Sequence, residues 1–258
     1  MTTQEVTNSL YNLIEITLPL ANANPVPQEG TQYLRLLEGL FRKNNIRLQS
    51  IHMLSQHPAT SNTALEIVRN MAEDVIGIEY VFANGKEKMA KKLFNYLPVQ
   101  LHNELEFAKK IGIETGDDEF PETEKKIMQD YSKLSASVKR RKNWAGISFE
   151  DMLANLEGKN ALSKRDTNLI GLLYLEGSRK THLNPYDVSI YLGGDTFYPE
   201  SEQTLRKVLV YSISSYIKLT TRYIDEISEV LGKATYHDIA QQVLAIFNEY
   251  DTPDATID

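Results

Sequence analysis

The most distinctive polar feature of this chain lies in residues 164–185, which read KRDTNLIGLLYLEGSRKTHLNP. Every fourth residue from Ile170 to His182 falls on one side of a helix, because the helical repeat is about 3.6 residues. This stripe, which also contains Tyr174 and Ser178, is apolar at its start and polar at its end. The spacing therefore predicts a helix that carries a polar site near its carboxyl end.

The same helical periodicity recurs along the rest of the chain, and no stretch of four to eight residues alternates as a strand does. Proline, glycine and asparagine separate the periodic segments, as they do at helix ends. We therefore predict an all-α bundle of eight or nine helices. The predicted segments are Val6–Leu20, Glu29–Gln56 with a break at Asn44–Asn45, Leu65–Phe82, Lys86–Ile111 with a kink at Pro98, Glu122–Arg141, a helix capped by Ser148 that ends at Leu156, Ser163–Thr181, Glu200–Leu231 and Thr235–Tyr250.

Length and composition favour a soluble protein with one domain. The chain has 258 residues, of which 41% are hydrophobic, enough to bury a substantial core. Its formal net charge of -7 excludes a surface that is basic throughout, although a local basic patch can still bind nucleic acid. The absence of cysteine excludes disulfides and thiolate metal sites. With no secretory signal and no apolar run long enough to span a membrane, we predict a cytoplasmic location and no membrane partner.

The motifs of common nucleotide and metal enzymes are absent. The sequence has no glycine-rich phosphate loop, no dinucleotide fingerprint, no His-Glu-x-x-His and no Gly-x-Ser-x-Gly elbow. No histidine follows a glutamate by three residues, as the paired ligands of a di-iron bundle require. We therefore predict no metal and no cofactor.

The third predicted helix carries charges on a largely apolar segment. Arg69 and Glu73 are four residues apart and can form an ion pair. One interpretation places this pair against Tyr174, Ser178 and His182 of the seventh helix, because a buried charge needs polar neighbours. The other interpretation is an ordinary ion pair on a solvated helix face.

The end of the Ile170–His182 stripe also has several interpretations. Ser178 and His182 lie one turn apart, a spacing that a nucleophile and its base can have, although no orienting carboxylate accompanies them. Alternatively, His182 caps its helix or contacts a neighbouring one. A third interpretation is a phosphate-bearing ligand held by Arg179, Lys180 and His182.

The only dense basic run, Lys139 to Lys142, is followed closely by Trp144, the only tryptophan. Arg140, Arg141 and Lys142 can contact phosphates, and Trp144 can stack on a base, so the run is a candidate RNA-binding site. The competing interpretation is a helix end enriched in basic residues, with Trp144 packed into the core.

Four short motifs of this sequence occur together in a known family. They are Arg69-x-x-x-Glu73 continuing to Tyr80, the stretch AKKLFNY at 90–96, Trp144-x-Gly146-x-Ser148 leading to Glu150-Asp151-Met152, and Tyr174-x-x-x-Ser178-x-x-x-His182. In their order and spacing, residues 65–185 resemble the bacterial family known as domain of unknown function 5677. We predict a single all-helical domain over 1–258, with this family-like core, flanking helices in 1–60 and 200–250, and a disordered tail at 251–258.

That family resembles the helical HEPN superfamily, which includes metal-independent ribonucleases of toxin and phage-defence systems and non-catalytic members that help bind nucleotide or RNA. The resemblance implies a helical core that can form a homodimer. In the ribonucleases, a histidine takes the 2′-hydroxyl proton and an arginine four to six intervening residues before it stabilises the phosphorane. Before His182 those positions hold Gly177, Glu176 and Leu175, whereas Arg179 lies only three residues before it.

Three functional hypotheses follow. The first is a bacterial HEPN-like ribonuclease of stress or phage defence, with His182 as acid/base and Arg69 or Arg179 as charge stabiliser. The second is a non-catalytic interaction module, in which Arg69, Glu73, Tyr174, Ser178 and His182 form a structural network. The third is recognition of a nucleotide or another anion at Arg179, Lys180 and His182. RNA and a second copy of the chain are the predicted partners; no protein partner is identified.

Overall fold

The computed structural model describes residues 2–23, 26, 30–57, 60–112, 120–181, 202–231 and 236–250. Throughout these residues the regular structure is helical and no strand occurs, which confirms the predicted all-α bundle. The helices are α1 (Thr3–Asn22), α2 (Gln32–Ser55), α3 (Ser61–Ala83), α4 (Lys86–Phe94), α5 (Leu97–Lys110), α6 (Phe120–Ser132), α7 (Ala136–Lys139), α8 (Phe149–Gly158), α9 (Lys164–Thr181), α10 (Glu202–Leu231) and α11 (His237–Tyr250). The predicted tail at 251–258 lies outside the described residues.

Two predicted helices are divided, so eleven helical segments occur in the described ranges. The predicted Lys86–Ile111 helix separates into α4 and α5, and Pro98 lies in the first turn of α5, where its missing N–H loses no helical hydrogen bond. The predicted helix over Glu122–Arg141 is wrong, because α6 ends at Ser132 and α7 is a single turn. The hydroxyl of Ser135 accepts a hydrogen bond from the Val138 N–H, and this local cap competes with a continuous helix.

Helix α2 runs without interruption through Asn44 and Asn45, so the predicted break is wrong. Both residues are 1% exposed, and their amide nitrogens find partners on other helices. Asn44 donates to a carboxylate oxygen of Asp74 at 2.9 Å, and Asn45 donates to the hydroxyls of Thr17 and Tyr216 at 3.1 and 2.7 Å. Buried amides that are hydrogen-bonded in this way do not require the chain to leave the helix.

One apolar core fills the bundle, and α3 packs within it against α2, α9 and α10. Burying each large apolar side chain stabilises the fold by about 1.5–3 kcal/mol. Phe41 of α2 stacks on Tyr216 and Tyr223 of α10, with ring centroids 5.8 and 4.5 Å away. The buried apolar residues of α3 include Val68, Ala72, Val75 and Ile76.

Charged side chains tie α10 to α3 and α4 beside this core. Arg222 donates two hydrogen bonds to Glu79, at 3.2 and 2.9 Å, in the bidentate arrangement that arginine favours. Lys86 pairs with Glu226 at 2.6 Å.

Within the described helices, none combines the length and apolar character that a membrane span needs.

Candidate functional site

Arg69 of α3 is the centre of a polar cluster that joins α3 to α9. Its Nε donates to the Ser178 hydroxyl at 2.8 Å, and its Nη2 pairs with Glu73 Oε1 at 2.9 Å. Its guanidinium carbon lies 4.9 Å from the ring centroid of Tyr174, which is cation–π distance. The Arg69 side chain is only 15% exposed, so Arg69 faces α9 rather than solvent. We call Arg69, Glu73, Tyr174 and Ser178 the polar cluster.

The cluster depends on a close approach of α3 and α9 at Gly177. A Cβ atom placed on Gly177 would meet the Arg69 side chain, with Cγ at 3.0 Å and Cδ at 3.1 Å. Only glycine leaves room for Arg69 to lie across α9. Sequence reasoning missed this role, although a glycine inside a helix, about 1 kcal/mol less favourable than alanine, was an available signal.

The remaining residues of the predicted site are only partly described. Arg179 lies in the last turn of α9, but its side chain and the whole of His182 lie outside what the structure describes. Their roles as charge stabiliser, acid/base or phosphate ligand stay predictions. In the described part of the chain, no three carboxylate or histidine side chains are arranged to hold a metal ion.

Glu73 is the member of the polar cluster that reaches solvent, with 36% of its side chain exposed. Partial burial raises its pKa above the ordinary value, and the neighbouring Asp74 adds to the rise, while Arg69, Arg47 and Lys43 oppose it. A carboxyl group accepts hydrogen bonds when ionised and donates one when protonated. Glu73 can therefore contact a ligand in either state.

A cleft of about 390 Å³ opens beside Glu73. Phe149 and Tyr174 line it and stack on each other with ring centroids 4.0 Å apart. Trp144 also lines the cleft and packs against Tyr80 at 6.1 Å in a T-shaped arrangement. Aromatic walls beside a carboxyl group suit a planar heterocycle that carries N–H donors.

The start of α8 places Phe149 in this cleft. The Ser148 hydroxyl accepts from the Asp151 N–H at 3.1 Å, and the Asp151 carboxylate accepts from the Ser148 N–H at 3.3 Å. This reciprocal cap confirms the predicted capping box and fixes the first residue of α8. Sequence reasoning did not assign Phe149 to the site, because its stacking partner lies on a different helix.

A second depression of about 750 Å³ adjoins this cleft beside α5. Both depressions share Asp74, Asn143 and Trp144, and the larger one also contains Lys142 and Phe107. We call the two together the aromatic groove. Glu73 and Tyr174 of the polar cluster therefore line a depression next to the one that Lys142 lines, and Trp144 lines both.

The four residues of the predicted RNA-binding run have different surroundings. Arg140 is exposed and donates to the Ala136 carbonyl at 3.2 Å. Lys142 lines the aromatic groove, whereas Arg141 lines a separate cleft with lysines of α4. Trp144 packs against the core, as one interpretation of the sequence had it, and it also lines the groove, where the other interpretation places RNA.

Comparison with known proteins identifies a family. The profile described as "Family of unknown function (DUF5677)" matches residues 35–198. The match begins within α2 and extends beyond α9, so it is longer than the stretch 65–185 indicated by the motifs. No curated protein and no solved structure matches the chain significantly.

Proposed function

The chain belongs to DUF5677, a family of unknown function, and we propose that it is a non-catalytic module that binds single-stranded RNA along the aromatic groove. The observation that carries the proposal is that Trp144 lines both the depression that contains Lys142 and the adjoining cleft that contains Glu73 and Tyr174. Proteins hold single strands by stacking bases on aromatic rings and by pairing phosphates with cationic side chains. The resemblance of the family to the HEPN superfamily, which includes non-catalytic members that help bind RNA, is compatible with this role.

The surroundings of Arg69 favour binding over cleavage. Ser178 and Glu73 already accept hydrogen bonds from its guanidinium, and Tyr174 lies at cation–π distance. An arginine that stabilises a phosphorane must direct its N–H groups at the reacting phosphate. In this proposal Arg69 instead orients Glu73, whose carboxyl group contacts the exocyclic N–H groups of a base.

Trp144 provides a direct test, because it is the only tryptophan of the chain. We expect an unlabelled single-stranded RNA of mixed sequence to quench its fluorescence at low salt through base stacking. A base-free tripolyphosphate should not quench it. Absence of both quenching and an anisotropy change with labelled RNA would overturn the proposal.

Substitutions of Trp144 and Lys142 measure separately how base stacking and charge contribute to RNA binding. Trp144→Ala should weaken binding of labelled RNA by at least about five-fold, because stacking contributes about 1–3 kcal/mol per base, and Trp144→Phe should recover most of the loss. Lys142→Ala should lower the slope of log affinity against log salt by about 0.7 if Lys142 contacts one phosphate. Lys133→Ala is the matched control, because this lysine is 62% exposed and does not line the groove. Thermal unfolding of each variant checks that the fold is intact.

Glu73 favours a second candidate function, metal-independent cleavage of RNA in bacterial stress or phage defence. A carboxyl group with a raised pKa can exchange a proton with the 2′-hydroxyl of RNA, and the side chain of Glu73 reaches solvent. Incubation of RNA with the protein in EDTA tests this function. Fragments that disappear with Glu73→Gln and with His182→Ala would support it, and RNA that stays intact with the wild type would exclude it.

A further inference from the structure

Three lysines of α4 and one arginine converge on a second cleft that the aromatic groove does not include. The lysines recur at three- and four-residue spacing, which places them on one side of α4. Arg141 meets them from the segment that follows α7, across a volume of about 480 Å³. We call this the basic cleft, and its lining is Lys88, Lys91, Lys92, Asn95, Val138 and Arg141.

The positive charge of the basic cleft is poorly compensated. Among the described residues, only Glu87 forms an ion pair with this group, to Lys91 at a distance of 3.9 Å. Burial and the nearby charges of Arg141 and Lys88 lower the pKa of Lys92. Like charges at such spacing destabilise a helix, and a bound anion would offset this repulsion.

Backbone contacts hold the basic cleft in place. Lys92 donates to the Ala145 carbonyl at 2.5 Å, and the Tyr96 hydroxyl donates to the Arg141 carbonyl at 3.1 Å. The side chain of Asn143 closes the turn that follows, by donating to one backbone carbonyl and accepting from one backbone N–H. These contacts fix the Lys92 ammonium and the backbone that carries Arg141, which lowers the loss of conformational entropy when a ligand binds between them.

We propose that the basic cleft binds a ligand with two or more phosphate groups. Several cationic side chains around one depression exceed what a single phosphate needs, and arginine pairs with phosphate through two N–H groups. Tyr96 lines the aromatic groove and also contacts Arg141, so the two depressions adjoin. The inference rests on the proposed function only where it names RNA as the expected source of the phosphate groups. A free polyphosphate is the alternative source.

Tripolyphosphate is the probe that separates the phosphate site from the base site. Calorimetric titration of the full chain at low salt should detect binding, and the double variant Lys88→Ser, Arg141→Ser should weaken it at least about ten-fold. The matched control is Lys125→Ser, Lys126→Ser, which removes the same charge from exposed positions on α6. Lys92 is left intact, because its hydrogen bond to Ala145 supports the fold.

The same variants are then tested with labelled single-stranded RNA. If the double variant loses both ligands while the control keeps them, the basic cleft binds RNA phosphates. If tripolyphosphate binds through the cleft but RNA does not bind the wild type, the phosphate site stands and the proposed function fails. If tripolyphosphate does not bind, or binds the double variant and the wild type equally, the inference is overturned, even where RNA still quenches Trp144.

Discussion

At the residue scale, Arg69 uses different parts of its guanidinium for partners on two helices. Nε contacts Ser178 of α9, Nη2 contacts Glu73 of α3, and the planar group lies near the Tyr174 ring. Because these contacts leave little rotational freedom, Glu73 is held at the edge of the aromatic groove. Sequence spacing predicted the Arg69–Glu73 pair, and of its two interpretations the structure has the one that places the pair against Tyr174 and Ser178.

The ionisation of Glu73 should be visible in the pH dependence of stability. Its pKa is higher in the folded than in the unfolded chain, so the folded state binds more protons just above the ordinary value of 4.5. This contribution to stability is complete below the unfolded pKa and is lost as pH rises through the folded pKa. We therefore expect Glu73→Gln, which cannot ionise, to melt at a progressively higher temperature relative to the wild type as pH rises from about 4.5.

Thermal melts of the wild type and of Glu73→Gln, run in parallel across this pH range, measure the difference between their melting temperatures. Both proteins share the other carboxyl groups, so the effect of those groups cancels in the difference. A relative melting temperature that falls with rising pH would mean that attraction to Arg69 outweighs the burial of Glu73.

At the scale of the elements, α3 and α9 approach closely because Gly177 of α9 has no Cβ atom. Gly177 faces the Arg69 stem, and Tyr174 and Ser178 flank it on α9. The polar cluster therefore needs glycine at this position as much as it needs its polar residues. A helical glycine read from sequence alone suggests weak helix propensity rather than a helix contact.

Gly177→Ala should separate α9 from α3 and destabilise the protein by about 1–3 kcal/mol, because the new methyl group overpacks against Arg69. Gly171→Ala in the same helix is the matched control. Its added methyl group would lie 3.9 Å from Leu153, an ordinary contact, so we expect unchanged or slightly higher stability. Urea unfolding measures both; equal effects of the two substitutions would show that helix propensity, not the close approach, decides the result.

At the scale of the whole molecule, a buried polar network joins α1, α2 and α10 inside the core. The Tyr216 hydroxyl accepts from Asn45 and donates to Thr17 at 3.0 Å, and Thr17 donates to the Leu13 carbonyl. Burial raises the pKa of Tyr216 to about 12, so its hydroxyl stays protonated at neutral pH. The buried hydroxyl of Tyr223, on the same helix, has no hydrogen-bond partner among the described residues.

We expect removal of the hydroxyl group to change the free energy of unfolding in different ways at Tyr216 and at Tyr223. Tyr216→Phe should cost about 1–2 kcal/mol, because Asn45 and Thr17 each lose a buried partner. Tyr223→Phe should be neutral or stabilising, because it removes a buried hydroxyl without a partner. Both rings stack on Phe41 and keep that contact after the change, so urea unfolding isolates the hydroxyl. Equal losses of stability would contradict the assigned network.

The sequence by itself determined the fold class and most helix boundaries, because helical periodicity, caps and proline act over a few residues. The capping box at Ser148 and the interruption near Pro98 are local in this sense. Homodimer formation, cytoplasmic location and a role in stress or phage defence stay predictions of the sequence.

The contacts between helices that are distant in sequence follow from the tertiary structure and not from local sequence patterns. It joined Trp144 and Lys142 to the groove beside Glu73, and it assigned Arg141 to a different cleft. It also kept Asn44 and Asn45 inside α2, since their partners come from helices distant in sequence. The physical reason is that propensity and capping are properties of neighbouring residues, whereas a groove, a close approach or a buried hydrogen bond depends on how separate helices pack.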